Sequence, residues 1–248
     1  MKHFKEYSKY YDLLYRDKNY NAEVAYIDEI IRKYKQGNAS LLDIGCGTGK
    51  HASIFADKGY KVHGVDVSET MINIAKENYG QKAMFSNQDM RFLDLNKKFD
   101  VITSLFHVMS YQTDNDSVRS CFKSVNSHLN NDGIFIFDCW YGPGVVNDLP
   151  SVRVKRMSDE QYDIVRIAEP VIHWNESVID VNFDILIKEK RSSVLTQIQE
   201  KHPMRYFFKN EVDLFAQEFG FKIVDFFAWL SFNEPTSKDW YVVFVLKK

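Results

Sequence analysis

The chain has 248 residues, 45% hydrophobic and 27% charged, with a formal net charge of −2. That is enough apolar residue to build one sizeable α/β domain, and it excludes a disordered chain. Lys and Arg are scattered without a basic stripe, and no apolar run approaches the roughly 18 residues of a bilayer span, so neither duplex nucleic acid nor a membrane is the expected partner. At the start, Tyr7, Tyr10, Tyr11 and Tyr15 cluster on an expected lid helix. A first amphipathic helix is predicted over 20–36, where Ala25, Tyr26, Ile27, Ile30, Ile31 and Tyr34 share a face and Gly37 stops it. "SLLDI" reads as a buried strand, and helical spacing resumes from Gly49 to Gly59 through Ile54 and Phe55. "YKVHGVD" is a second strand, and Ser68 caps a helix in which Met71, Ile72 and Ala75 repeat. "KAMFSN" and "FDVITSLF" are the third and fourth strands, 116–129 is helical, "NNDG" is a turn and "IFIFDCW" is the fifth strand.

Strand alternating with helix at this spacing predicts parallel βαβ units, hence a doubly wound open sheet. From about Val152 to Met204 the pattern becomes apolar–polar alternation, as in "YDIVRIAEPVIHW" and "SVIDVNFDILIKEK", which predicts long antiparallel strands with a hairpin at "NES". "NEVDLFAQEFG" returns to helical spacing, and "KIVDFFAWL" and "DWYVVFVLKK" are the last strands. The expected organisation is one domain over 1–248: lid helices in 1–37, a core in 38–140 and 206–248, and an antiparallel insertion in 141–205 that faces the substrate and offers a dimer surface. Cys46, Cys121 and Cys139 are odd in number and widely spaced, which fits neither a disulfide framework nor a metal site and suits a reducing cytoplasm.

In "LLDIGCGTGKH", Gly45, Gly47 and Gly49 follow a strand and open a helix, so main-chain N–H groups and a helix N-terminus face whatever lies there. The dinucleotide fingerprint fails, because Lys50 stands where its third glycine belongs, and no G-K-[ST] follows to make a P-loop. A ligand without phosphates, edge-on over the turn, fits better. Asp66 closes the second strand some 20 residues later, where a carboxylate accepts from both hydroxyls of a ribose. After the third strand, Asp89 can accept from the amine of an adenine while the Met90 N–H reaches a ring nitrogen.

With "VHGVDVSETMINIAKEN", "NQDMRFLDL" and "FDVITSLFHVMSY", the glycine turn resembles motifs I to IV of the class I S-adenosylmethionine-dependent methyltransferases. The resemblance implies a seven-stranded, mostly parallel Rossmann-like sheet whose last strand is antiparallel, with S-adenosylmethionine as cofactor and no metal. It assigns Gly45, Gly47 and Gly49 to the methionine moiety, Asp66 to the ribose and Asp89 with Met90 to the adenine; Tyr11, Asp43, Val67, Met71 and Leu105 complete the cofactor set. A narrower resemblance, carried by "YYDLLYRDKNYNAE", "SLFHVMSY", "DCWYGPG" and "NEPTSKDW", is to N-methyltransferases of nucleotide-linked amino sugars. Trp140-Tyr141 stands where that family often doubles Trp, and Lys238 where it tends to carry Arg.

The acceptor side is read from "FHVMSY", where His107 and Tyr111 are four apart. Both are candidate catalytic groups, with Tyr15 closing over the acceptor. Trp140 and Tyr141 can stack on a base or sugar, and Arg153, Arg156, Arg166 and Arg205 are candidates for a diphosphate. Two other functions stay open: transfer to another small amine, hydroxyl or carboxylate, and cofactor binding without transfer.

Overall fold

The computed structural model describes residues 14–35, 37 and 39–248. Helix α1 (Tyr20–Tyr34) precedes β1 (Ser40–Ile44), α2 (Lys50–Asp57), β2 (Lys61–Asp66), α3 (Glu69–Tyr79), β3 (Met84–Asn87) and β4 (Phe99–Ser104). Helix α4 (Asn115–His128), β5 (Leu129–Tyr141) and the short α5 (Gly142–Asn147) follow. The insertion is β6 (Arg153–Ser158), β7 (Tyr162–His173), β8 (Val178–Glu189) and β9 (Leu195–Phe207). Helix α6 (Lys209–Glu218), β10 (Lys222–Ala228) and β11 (Tyr241–Lys247) close the chain.

Strands β3-β2-β1-β4-β5 are mutually parallel, and β11 lies antiparallel between β5 and β10. These are the seven strands expected from sequence. The hydrogen-bonded sheet nevertheless has eleven, because β9 continues it from β5 into β8, β7 and β6. The reason is the length of β5. Its pairing with β4 ends at Phe137, and the overhang pairs with β9 through Trp140↔Tyr206 and Tyr141↔Phe207. The expected "NNDG" turn is absorbed into β5: Leu129 pairs with Phe99 and Ile134 with Val101, so the extra residues bulge out and Asp132 takes φ +61°.

Period-2 alternation sends neighbouring residues to opposite faces. Leu42, Ile102 and Phe244 pack with Phe122 of α4 and Phe215 of α6, whereas Leu41, Val101 and Val243 pack with Ile27 of α1 and Phe55 of α2. All these side chains are buried; at about 25 cal/mol per Å² of apolar area, a fully buried Leu or Phe stabilises by roughly 1.5–3 kcal/mol. The insertion has its own small core, in which Ile164, Ile185, Ile187 and Ile198 meet Leu14. No helix among the described residues is long and apolar enough to cross a membrane.

Candidate active site

A cavity of about 560 Å³ opens at the carboxyl ends of β1 to β5 and is roofed by the insertion. Strand order reverses between β1 and β4, the switch point at which open α/β sheets bind ligands.

The floor is built from main chain. Gly45 N and Cys46 N both donate to Val65 O, at 2.7 and 3.0 Å, which bends the chain sharply after β1. Gly45, Gly47 and Gly49 all have positive φ, a conformation L-residues rarely take. They differ in what surrounds them. A Cβ on Gly45 would fall 2.5 Å from the Val108 side chain, so this glycine admits the turn after β4. A Cβ on Gly47 would meet nothing, and Gly47 lines the cavity, which leaves ligand-sized space over the main chain. Gly49 corrects the sequence reading: it caps α2, a Cβ there would press on Ala75 and Phe85 at 3.0 Å, and it is not part of the lining.

Asp66 ends β2 and lines the cavity. Its Oδ2 accepts from Gly47 N at 2.9 Å and its Oδ1 from Ser68 N at 2.8 Å. Burial raises its pKa, against the pull of these backbone donors. A carboxylate has about four acceptor positions, so each oxygen keeps one for a hydroxyl, and the donor set fits a ribose. Asp89 also lines the cavity, but Arg91 grips it through its backbone N–H and guanidinium. Against the upward push of burial, Arg91 holds the Asp89 carboxyl below its usual range. Each carboxylate oxygen accepts twice from Arg91, so an amine at Asp89 shares the carboxylate with the guanidinium. Val67, Met71, Met90 and Leu105 line the same end. Asp43 lies beneath the floor instead: it is 1% exposed, accepts from Thr103 Oγ1 at 3.0 Å, and burial pushes its pKa up to about 6. Tyr11, like Tyr7 and Tyr10, lies outside the described residues.

The turn after β4 carries the candidate chemistry. Phe106 and His107 take φ +67° and +62°, two successive left-handed residues without glycine. Asp138 of β5, 0% exposed, stabilises this turn by accepting from His107 N at 3.1 and 3.2 Å. The same carboxylate lies 2.5 Å from His107 Nδ1. The ring stacks on Tyr241 at 4.5 Å, so His107 is fixed with Nε2 on the side away from Asp138. Tyr111 OH meets His202 Nδ1 at 2.8 Å, and burial pushes the phenol well above its usual pKa. Tyr15 meets Phe106 edge-on at 5.1 Å and Arg166 Nη1 at 3.4 Å. His107, Tyr111, Tyr15, Trp140 and Arg166 all line the cavity.

Four expected acceptor-side residues, Tyr141, Arg156, Arg205 and Lys238, do not. Tyr141 turns its ring onto Phe226, centroids 5.6 Å apart. Arg205 is 6% exposed and joins Asn115 to Glu211 of α6, a structural staple. Lys238 is exposed in the β10–β11 loop, beside Thr236 and Asp239. Of the insertion arginines, Arg153 and Arg166 reach the cavity. Sequence reasoning missed Asp138, His202, Glu200, Phe183 and Tyr241. Asp138 left a signal, an acid inside the apolar run "IFIFDCW". Glu200 and His202 left another, two residues apart on one strand and therefore on one face. Among the described residues no cluster of His, Cys, Asp and Glu could hold a metal ion, and all three cysteines are free and buried.

Residues 41–133 match the family described as "Methyltransferase domain". A protein of Geobacillus sp. (strain WCH70) is 31% identical over 139 residues, 54% of this chain and 56% of its own length. The dTDP-3-amino-3,4,6-trideoxy-alpha-D-glucopyranose N,N-dimethyltransferase of Streptomyces venezuelae is 27% identical over 183 residues, 73% of this chain and 76% of that one. The chain thus spans little more than half the length of the first of these relatives. In fold, it is similar to the S-adenosylmethionine-bound structure of an amino pentose methyltransferase from Micromonospora echinaspora, with TM-score 0.78 and 22% identity over 98% of this chain and 97% of that one.

Proposed function

We propose that this chain, a class I S-adenosylmethionine-dependent methyltransferase, methylates the amino group of a nucleotide-linked amino sugar. One observation carries the reading: a single cavity joins a phosphate-free nucleoside floor, centred on Gly47 and Asp66, to a wall where His107 is braced by a buried carboxylate. A carboxylate acceptor would not call for such a wall, since it already carries its lone pair at neutral pH. The name of the Streptomyces venezuelae relative supports the sugar class.

S-adenosylmethionine supplies, when bound, a methyl carbon activated by its sulfonium sulfur. Asp66 holds the ribose hydroxyls, Asp89 and the Met90 N–H take the adenine edge, and the main chain at Gly45 and Gly47 underlies the methionine part. Phe106, Val108 and Tyr241 line the cavity and keep water from the reacting end. Holding an acceptor there in line is worth about 7–11 kcal/mol in favourable cases. An ammonium has no lone pair, so the acceptor must lose a proton first. His107 orients the amine, Tyr111 accepts that proton, and Tyr15 closes over it. Arg153 and Arg166 meet the diphosphate, and Trp140 the sugar or base.

The test uses S-adenosylmethionine labelled on its methyl group with a panel of nucleotide-linked sugars, each offered with an amine and with a hydroxyl at the same carbon. Label on the amine alone is expected. Transfer to hydroxyls, or to none of the panel, removes the acceptor assignment; no calorimetric binding of S-adenosylhomocysteine removes the cofactor assignment as well.

A further inference from the structure

The cavity wall holds two imidazole–carboxylate pairs, and they differ in where a proton could go next. His107 Nδ1 faces Asp138, which is 0% exposed beneath the turn after β4. The buried Asp138 carboxylate turns back onto the main chain of His107, so that pair leads inward. The second pair runs along β9. Tyr111 OH lies 2.8 Å from His202 Nδ1, and His202 Nε2 lies 2.9 Å from Glu200 Oε2. His202 is 3% exposed overall, and the Glu200 side chain 10%, so the line of groups starts at the cavity and ends at the margin of the solvent. The Phe183 ring packs edge-on against His202 at 5.0 Å and fixes the plane of the imidazole.

We propose that Tyr111, His202 and Glu200 form a relay that carries the acceptor's proton out of the cavity, with His202 and Glu200 as positioning residues acting through the Tyr111 hydroxyl. The inference rests on the amine-acceptor reading above. Glu200, as a carboxylate, only accepts, so it fixes a proton on His202 Nε2 and leaves Nδ1 bare. Nδ1 then takes the phenolic hydrogen bond, and the Tyr111 oxygen presents its lone pairs to an ammonium. As the relay operates, an N–H bond of the ammonium breaks and an O–H bond forms on Tyr111. The phenolic proton moves to His202 Nδ1. The electron pair of the broken N–H bond stays on nitrogen, which becomes the neutral nucleophile. His202 ends as imidazolium beside the Glu200 carboxylate, so charge is conserved, and it returns the proton to water between turnovers. His107, held by Asp138, orients the amine and does not store its proton.

The experiment compares wild type, His202→Gln and Glu200→Gln on an amino-sugar acceptor and on its analogue with fluorine beside the amine, which is already neutral at the assay pH. General acid–base groups contribute about 10²–10⁴-fold. His202→Gln is therefore expected to lower kcat on the ordinary amine by about 10²-fold and Glu200→Gln by about 10-fold, with KM and S-adenosylhomocysteine affinity within about 2-fold of wild type. On the fluorinated amine both variants should turn over at nearly wild-type rate. Equal losses on both acceptors, or no loss on either, overturn the relay. A readout independent of activity is 15N NMR of the wild-type protein, where His202 is expected as the Nε2–H tautomer; the Nδ1–H tautomer overturns the proposal even if the variants fail to fold. Wild-type protein that methylates no amine defeats the acceptor reading and the relay together, whereas wild-type turnover matched by His202→Gln defeats the relay alone.

Discussion

The floor and the roof of the cavity are built on different principles. The floor, at the ends of β1 and β2, consists of peptide groups and two or three short side chains fixed within a few residues of one another. The roof is four long antiparallel strands whose useful side chains are separated by tens of residues and meet only through register: Ala168 opposite Phe183, and Phe183 opposite Glu200. A site made of backbone depends on local conformation. A site made of register depends on the whole strand set, and a one-residue slip would turn every one of its side chains outward.

Breaking the floor should give the largest effect. Asp66→Ala removes an acceptor for two hydroxyls and loosens the turn at Gly47; charged hydrogen bonds are worth about 1.5–3 kcal/mol each, so S-adenosylhomocysteine affinity should fall by at least ~100-fold in calorimetry. At the junction of floor and roof, Asp138→Asn should lower kcat by about 100-fold with cofactor affinity little changed, because the turn that presents His107 loses the charged acceptor of its main-chain N–H. Asp43 tests the layer beneath. Its pKa rises from 3.8 to about 6 through burial, so folding favours the neutral acid. The stability this gives is complete below about pH 3.8 and is lost as pH rises through about 6. Asp43→Asn should therefore stabilise the protein by about 1–3 kcal/mol at pH 7.5 and by little at pH 4, read from urea unfolding at both values. In the roof, Arg166→Ala should raise acceptor KM by about 10-fold and leave cofactor affinity alone, which would separate the two regions cleanly; a matching loss of cofactor affinity would erase the distinction. Lys238→Ala, outside the cavity, should change neither constant measurably.

The same contrast explains what could be read from the chain. The parallel strands were legible because each is a short apolar run bounded by glycine or a polar cap, and Gly45, Gly47 and Asp66 were legible because the conformation they impose is local. Asp89 was read as an acceptor for an adenine amine, without its partner Arg91 two residues away. Arg205 was assigned from residue type and Lys238 from its place in the resemblance, and neither says whether Glu211 will claim a guanidinium or a loop will hold an ammonium in water. Asp138 and the pair Glu200–His202 were hidden for a different reason: each is ordinary within its own strand and gains meaning from a partner that the turn after β4 brings to it. The "NNDG" turn was read correctly as a local bend and wrongly as a boundary, because β4 pairs with β5 on both sides of it, at Leu129 and again from Ile134.

The roof is tied to the central sheet by a ladder of only two rungs, at Trp140 and Tyr141. The seam is short, but Tyr111 bonded to His202, and Arg205 bonded to Asn115 and Glu211, fasten the ribbon to the core beside it. Trp140 is at once the pin of that joint and a panel of the cavity wall. A substitution at Trp140 therefore alters the seam and the cavity wall together.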